Sequence, residues 1–197
     1  MLLAGSDAIL ALACLWAGWV LLTLPGGNGG VRLLGAAILA LSMPSAAGAA
    51  RFGGVEGDWL PALHQGASDL YALVGFASAA AALFLVPDGR RWPLVLGIAV
   101  LLVAGLALMG QKALVGPLAS LFILAGTVRL MRVGPGRLWL GLSMAGVVVA
   151  ALTRVPGLLD TDARIIGLHL GLALWVAALG AGVRAYSSSV PAPAYAP

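Results

Sequence analysis

Apolar residues run along this chain in long stretches, and turn-forming or charged residues gather between them. At about 1.5 Å rise per residue, roughly 20 apolar residues cross the hydrocarbon core of a bilayer, and fewer suffice where the ends snorkel. Seven segments meet that demand: Ala8–Leu24, Leu33–Ala50, Trp59–Val86, Pro93–Gly110, Ala113–Val128, Leu138–Thr153 and Ile165–Val183. The fifth and sixth are short and rely on Arg129, Arg137 and Arg154 lying at the headgroups. Turn formers mark most of the breaks, among them Pro25 to Gly30, Pro87-Asp88-Gly89, Gly134-Pro135-Gly136 and Pro156-Gly157. Gln111-Lys112 makes only a thin break between the fourth and fifth.

The predicted fold class is therefore all-α, a polytopic transmembrane bundle of about seven helices. Residues 1–186 make one seven-helix domain, and residues 187–197, rich in Ser, Pro and Ala, make a flexible tail with no apolar periodicity. The amino terminus has no basic region ahead of its first apolar run and carries Asp7 instead. The first helix is therefore expected to be retained rather than cleaved as a signal peptide.

Composition sharpens this picture. Hydrophobic residues make up 61% of the chain and charged residues 9%, a balance that water solvates poorly and lipid solvates well. The connections are too short to hold a soluble catalytic domain. Arg32, Arg90, Arg91, Arg129, Arg132, Arg137 and Arg184 fall on one side of a seven-helix topology, against Arg51, Lys112, Arg154 and Arg164 on the other. The more basic side is expected to be cytoplasmic, which places the amino terminus outside and the carboxyl terminus in the cytoplasm. Six of the seven acids, Asp7, Glu56, Asp58, Asp69, Asp160 and Asp162, lie towards the opposite side. The net charge of +4 is then a record of topology and of attraction to anionic lipid, and nucleic acid is not expected as a partner. The preference for arginine over the lone Lys112, with abundant Ala and Gly, matches a GC-rich bacterial coding bias, so the expected location is a bacterial inner membrane.

Small residues recur where helix backbones must approach closely: Ser45 to Ala50 in the second segment, Ala77 to Ala82 in the third, and Gly167 with Gly171 in the seventh. In lipid, helices associate through close van der Waals contact and interhelical hydrogen bonds, because no hydrophobic force draws them together. A tight bundle without a wide aqueous pore is the expectation. Trp59 on one side and Trp19, Trp92 and Trp139 on the other suit interfacial anchoring. The single cysteine, Cys14, excludes an intramolecular disulfide and any cysteine-based metal cluster, and reads as a packing residue.

Candidate chemistry centres on the two histidines, His64 and His169. Both fall near the start of segments that run in the same direction, so their imidazoles are expected at similar depth. Facing each other, they could ligate a haem iron or contribute to a metal site. Asp162, seven residues before His169 on the same helical face, could orient that ring. Ser68 and Tyr71 share the face of His64, whereas Asp69 is turned away and pairs with Gln65. Asp69 is the acid best placed to lie inside the membrane, unless its helix begins near Leu70 and leaves it among headgroups. Arg154, Asp160, Asp162 and Arg164 read as a solvated loop, or as a gating ion-pair cluster.

Familiar catalytic signatures are missing from the sequence. There is no HExxH, no GxSxG and no paired-cysteine site, and the glycines at 26–30 join two membrane segments rather than a strand and a helix. The seventh segment has no lysine to hold retinal. His169 is followed four residues on by Ala173, so the HxxxH zinc pair of seven-helix membrane hydrolases is absent. Three readings remain open. The leading one is a non-catalytic subunit or partner of a larger membrane complex, associating with other membrane proteins or with itself. The second is a haem- or metal-binding redox protein using His64 and His169. The third is a small-solute transporter with an outward-facing site near Asp69.

Overall fold

The computed structural model describes residues 1–87, 92–111, 114–153, 155 and 157–189. Arg90, Arg91, Lys112, Arg154 and the tail beyond Ser189 therefore lie outside the described residues. The described residues form seven helices: α1 (Leu2–Leu22), α2 (Gly29–Phe52), α3 (Trp59–Leu85), α4 (Trp92–Leu108), α5 (Val115–Val133), α6 (Arg137–Leu152) and α7 (Thr161–Ser189). Five of them, α1, α2, α3, α5 and α7, are long and apolar enough to cross a membrane, as in a multi-pass integral membrane protein. The helix α6, with 16 residues, spans only about 24 Å.

Two helices extend beyond their apolar runs. The helix α1 begins at Leu2, so Ser6 and Asp7 stand inside it rather than ahead of it, and both are buried. It can run past a charged residue because that residue finds a partner within the bundle. The helix α7 runs from Thr161 to Ser189, so Ser187–Ser189 are helical. Between them, α3 carries one π-helical turn at Tyr71–Gly75. There the Tyr71 ring lies so close over Gly75 that a β-carbon would collide with it.

Neighbouring pairs α1–α2, α2–α3, α3–α5, α5–α6, α6–α7 and α7–α1 all pack, so six helices close a ring and α4 stands outside it, chiefly on α3. The most extensive contacts are α1 with α2, α6 with α7, and α1 with α7. Glycine explains their closeness. Gly18 of α1 faces Gly35 and Leu39 of α2, and Gly146 of α6 meets Gly171 and the Trp175 backbone of α7. Both sites lack the space a β-carbon needs, which is the close approach expected where van der Waals contact must hold helices together.

At one end of the bundle, Asn28 ties two connections together. Its Oδ1 accepts from the Val31 N–H (3.1 Å) and its Nδ2 donates to the Val86 carbonyl (2.7 Å), capping α2 and anchoring the end of α3. The opposite end carries the start of α1, the end of α2 and the starts of α3 and α7. There the polar side chains collect.

Candidate functional site

The starting point is Asp7, one and a half turns into α1 and only 1% exposed. Its Oδ1 lies 3.3 Å from Nδ1 of His169, two turns into α7. The Ser6 hydroxyl is also 3.3 Å from that nitrogen, and it donates to the Leu3 carbonyl at 2.8 Å. With its proton so committed, Ser6 offers Nδ1 only a lone pair. The consistent arrangement is a single Nδ1–H shared by the Asp7 carboxylate and the Ser6 oxygen, two long hydrogen bonds from one donor.

The floor beneath Asp7 is Gly48 of α2. A β-carbon there would stand 2.6 Å from Oδ2 of Asp7, so only glycine lets the carboxylate lie in this joint. Oδ2 itself is buried without a hydrogen-bond partner among the described residues. One turn further along α2, Arg51 reaches His64 of α3, with Nη1 3.4 Å from Nδ1. The Phe52 ring meets the His64 ring edge to face, with centroids 5.9 Å apart. Since Arg51 has only donors, Nδ1 of His64 is the acceptor and the ring proton belongs on Nε2.

This geometry decides what chemistry the cluster can do. A Ser–His–acid relay needs the hydroxyl and the carboxylate on opposite ring nitrogens. Here Ser6 and Asp7 share one, so the three residues form a buried polar clamp rather than an activated nucleophile. Ligation of a metal or haem needs an unprotonated nitrogen on each ring. His169 has one at Nε2, with Asp7 orienting the ring as a carboxylate does behind a metal-binding imidazole. In His64 the unprotonated nitrogen, Nδ1, is the one that Arg51 engages. Among the described residues, no three His, Cys, Asp or Glu side chains converge as a metal site would require.

The structure brings His64 and His169 to the same end of the bundle, held by Arg51 and Asp7 respectively. Asp69 is exposed on the outside of α3, where its Oδ1 accepts from Nε2 of Gln65 at 2.8 Å. Asp162 is exposed in the first turn of α7, and Asp7 rather than Asp162 meets the His169 ring. Ser68 is half-buried, and Tyr71 is buried against Phe76, its hydroxyl without a hydrogen-bond partner among the described residues.

Sequence reading missed Asp7, Ser6, Gly48 and Trp175. A signal for the first existed: Asp7, Ala11, Cys14 and Gly18 recur at helical spacing and form the small-residue face of α1. An acid on that face must enter a helix joint. Trp175 is 1% exposed and stacks on Phe76 at 5.8 Å between centroids. No protein-family model, no curated protein and no solved structure matches this chain.

Proposed function

We propose that this protein is a non-catalytic subunit or partner of a larger membrane assembly, in a bacterial inner membrane, with its amino terminus outside. The observation that carries this reading is the placement of α4. This helix packs chiefly on α3 and stands outside the ring of the other six. It turns Val100 and Leu101 outwards. With 17 residues, it measures about 26 Å against a hydrocarbon core of roughly 30 Å. A short helix relieves such mismatch by thinning the bilayer, by snorkelling or by associating with a neighbour. The buried polar groups support the same reading, because Asp7, Ser6 and His169 are spent on joining α1 to α7.

A photo-crosslinking residue at Leu101, compared with one at Leu12 on the exposed face of α1 (72% and 66% exposed), tests this in native membranes. Protein adducts, to another chain or a second copy, are expected at position 101, with lipid adducts alone at position 12. Lipid adducts alone at both positions, with a monomer on gentle solubilisation, would overturn the proposal. The haem or metal alternative, with His64 and His169 as ligands, predicts a Soret band or one equivalent of metal, lost in His169→Ala.

A further inference from the structure

A cleft of about 570 Å³ opens between α5 and α6 and reaches inwards to α7. Its volume falls within the roughly 300–1,000 Å³ typical of small-ligand sites. Pro117, Leu121, Val148 and Ala151 form an exposed rim, and Ile123 and Trp175 form a buried floor. The opening is thus lateral, towards the space that lipid occupies around a membrane bundle. The lining is apolar apart from Ser120, whose hydroxyl is turned back to the Gly116 carbonyl at 2.9 Å, and the indole N–H of Trp175, which is buried. Such a wall recognises hydrocarbon.

Just beyond one end of the cleft stands a cation, Arg164. Leu168, Leu172 and Trp175 line the cleft along one stripe of α7, and the same stripe continues one turn back to Arg164. Nε of Arg164 donates to the Thr153 carbonyl at 3.0 Å, which ties the guanidinium to the stretch of backbone between the lining residues Leu152 and Val155. Asp160 spends Oδ1 on the Ala163 N–H, and Arg164 forms no salt bridge with Asp160 or Asp162. Among the described residues its remaining N–H groups have no partner and are open to an anion. A fixed guanidinium above a hydrocarbon slot matches a phosphate with an acyl chain below it.

We propose that the α5–α6–α7 cleft binds one anionic phospholipid, an acyl chain lying against Trp175 and the phosphate on Arg164. Zwitterionic lipid carries the same chain but offers a phosphate already paired with its own cation. Selection therefore rests on Arg164, and retention rests on the slot.

The full chain, exchanged into equimolar phosphatidylglycerol and phosphatidylcholine of identical chains, is delipidated stepwise and its retained lipid counted by native mass spectrometry. One phosphatidylglycerol per chain is expected, preferred about tenfold over phosphatidylcholine, the scale of one charge-assisted contact. R164Q should lose that preference, and R164K should keep much of it. A151F, which fills the slot from its rim, should remove the retained lipid altogether, and excess glycerol 3-phosphate should not displace lipid from the unaltered chain. Circular dichroism and unfolding midpoints confirm that each variant is folded, and the R164K/R164Q pair separates charge from packing at Thr153. Equal retention of the two lipids would overturn the proposal. So would phosphatidylglycerol retention that survives A151F, or displacement by glycerol 3-phosphate, since either would mean headgroup binding without the slot.

Discussion

The half of the bundle built from α1, α2, α6 and α7 and the half built from α3, α4 and α5 are both strongly apolar in sequence, yet they are packed differently. In the first, glycines meet backbones across each joint, as at Gly18–Gly35 and Gly146–Gly171, and the buried Asp7–His169 pair joins α1 to α7. In the second, alanines of α3 face a crevice of about 400 Å³ towards α4 and α5, lined by Ala77, Ala80, Ala81 and Phe84. The difference lies in register. Small residues draw two helices together only when both present them at the same level. Across the crevice from Ala77, Ala80 and Ala81 stand Ile98, Leu102 and Phe122, large residues that offer no matching small surface. Polar specificity collects in the tight half, whereas open space lies within the loose half and along its seam with α6 and α7.

The sharpest way to break this contrast is to place a large residue at a matched position in each half. Gly171→Leu should collapse the α6–α7 joint and cost several kcal/mol, because the atoms it meets are backbone. Ala77→Leu, which points into the crevice, should change stability by less than about 1 kcal/mol. Unfolding midpoints in one detergent compare the two directly. Similar losses in both would show that the crevice closes in solution.

Next in size is the buried Asp7–His169 pair. His169→Ala leaves the Asp7 carboxylate buried without its partner and should cost about 3 kcal/mol, whereas the paired replacement Asp7→Leu with His169→Leu should recover most of that. Guanidinium or heat unfolding of the three proteins decides it. If the double replacement is no better than the single one, the pair contributes more than geometry accounts for.

A smaller effect belongs to Gly48. Gly48→Ala should cost about 1–3 kcal/mol by pushing the Asp7 carboxylate away. In an Asp7→Ala background the same change should be nearly free, and that coupling is read from a double-mutant cycle. Smallest of all is Asp69→Asn. Its side chain is exposed and bonded only to Gln65, so the shift should stay within about 0.5 kcal/mol. A loss as large as that of His169→Ala would place Asp69 in a site formed with another chain.

Much of the architecture was legible because hydropathy and turn residues act locally. The seven segments correspond to seven helices, five long enough to span, and the Pro25–Gly30 break falls between α1 and α2. The ends were less legible. An apolar run stops at Asp7, but α1 does not, since the hydrogen-bonding partner that keeps Asp7 inside comes from residue 169. For the site, the two histidines could be placed at similar depth from helix direction alone. Their partners could not, because Arg51 and Asp7 reach them from α2 and α1. Asp162 stood on the expected face of its own helix, yet a residue on a different helix met the His169 ring.

What the sequence by itself determined is the solvent: a chain this apolar, cut into spans by proline, glycine and arginine, satisfies its backbone hydrogen bonds only as helices in lipid. Tertiary structure alone decided which helices touch, that Asp7 rather than Asp69 is buried, and where the bundle leaves an open slot. Those outcomes depend on the register between helices. Register is set by the shapes of two surfaces meeting, and neither helix carries both.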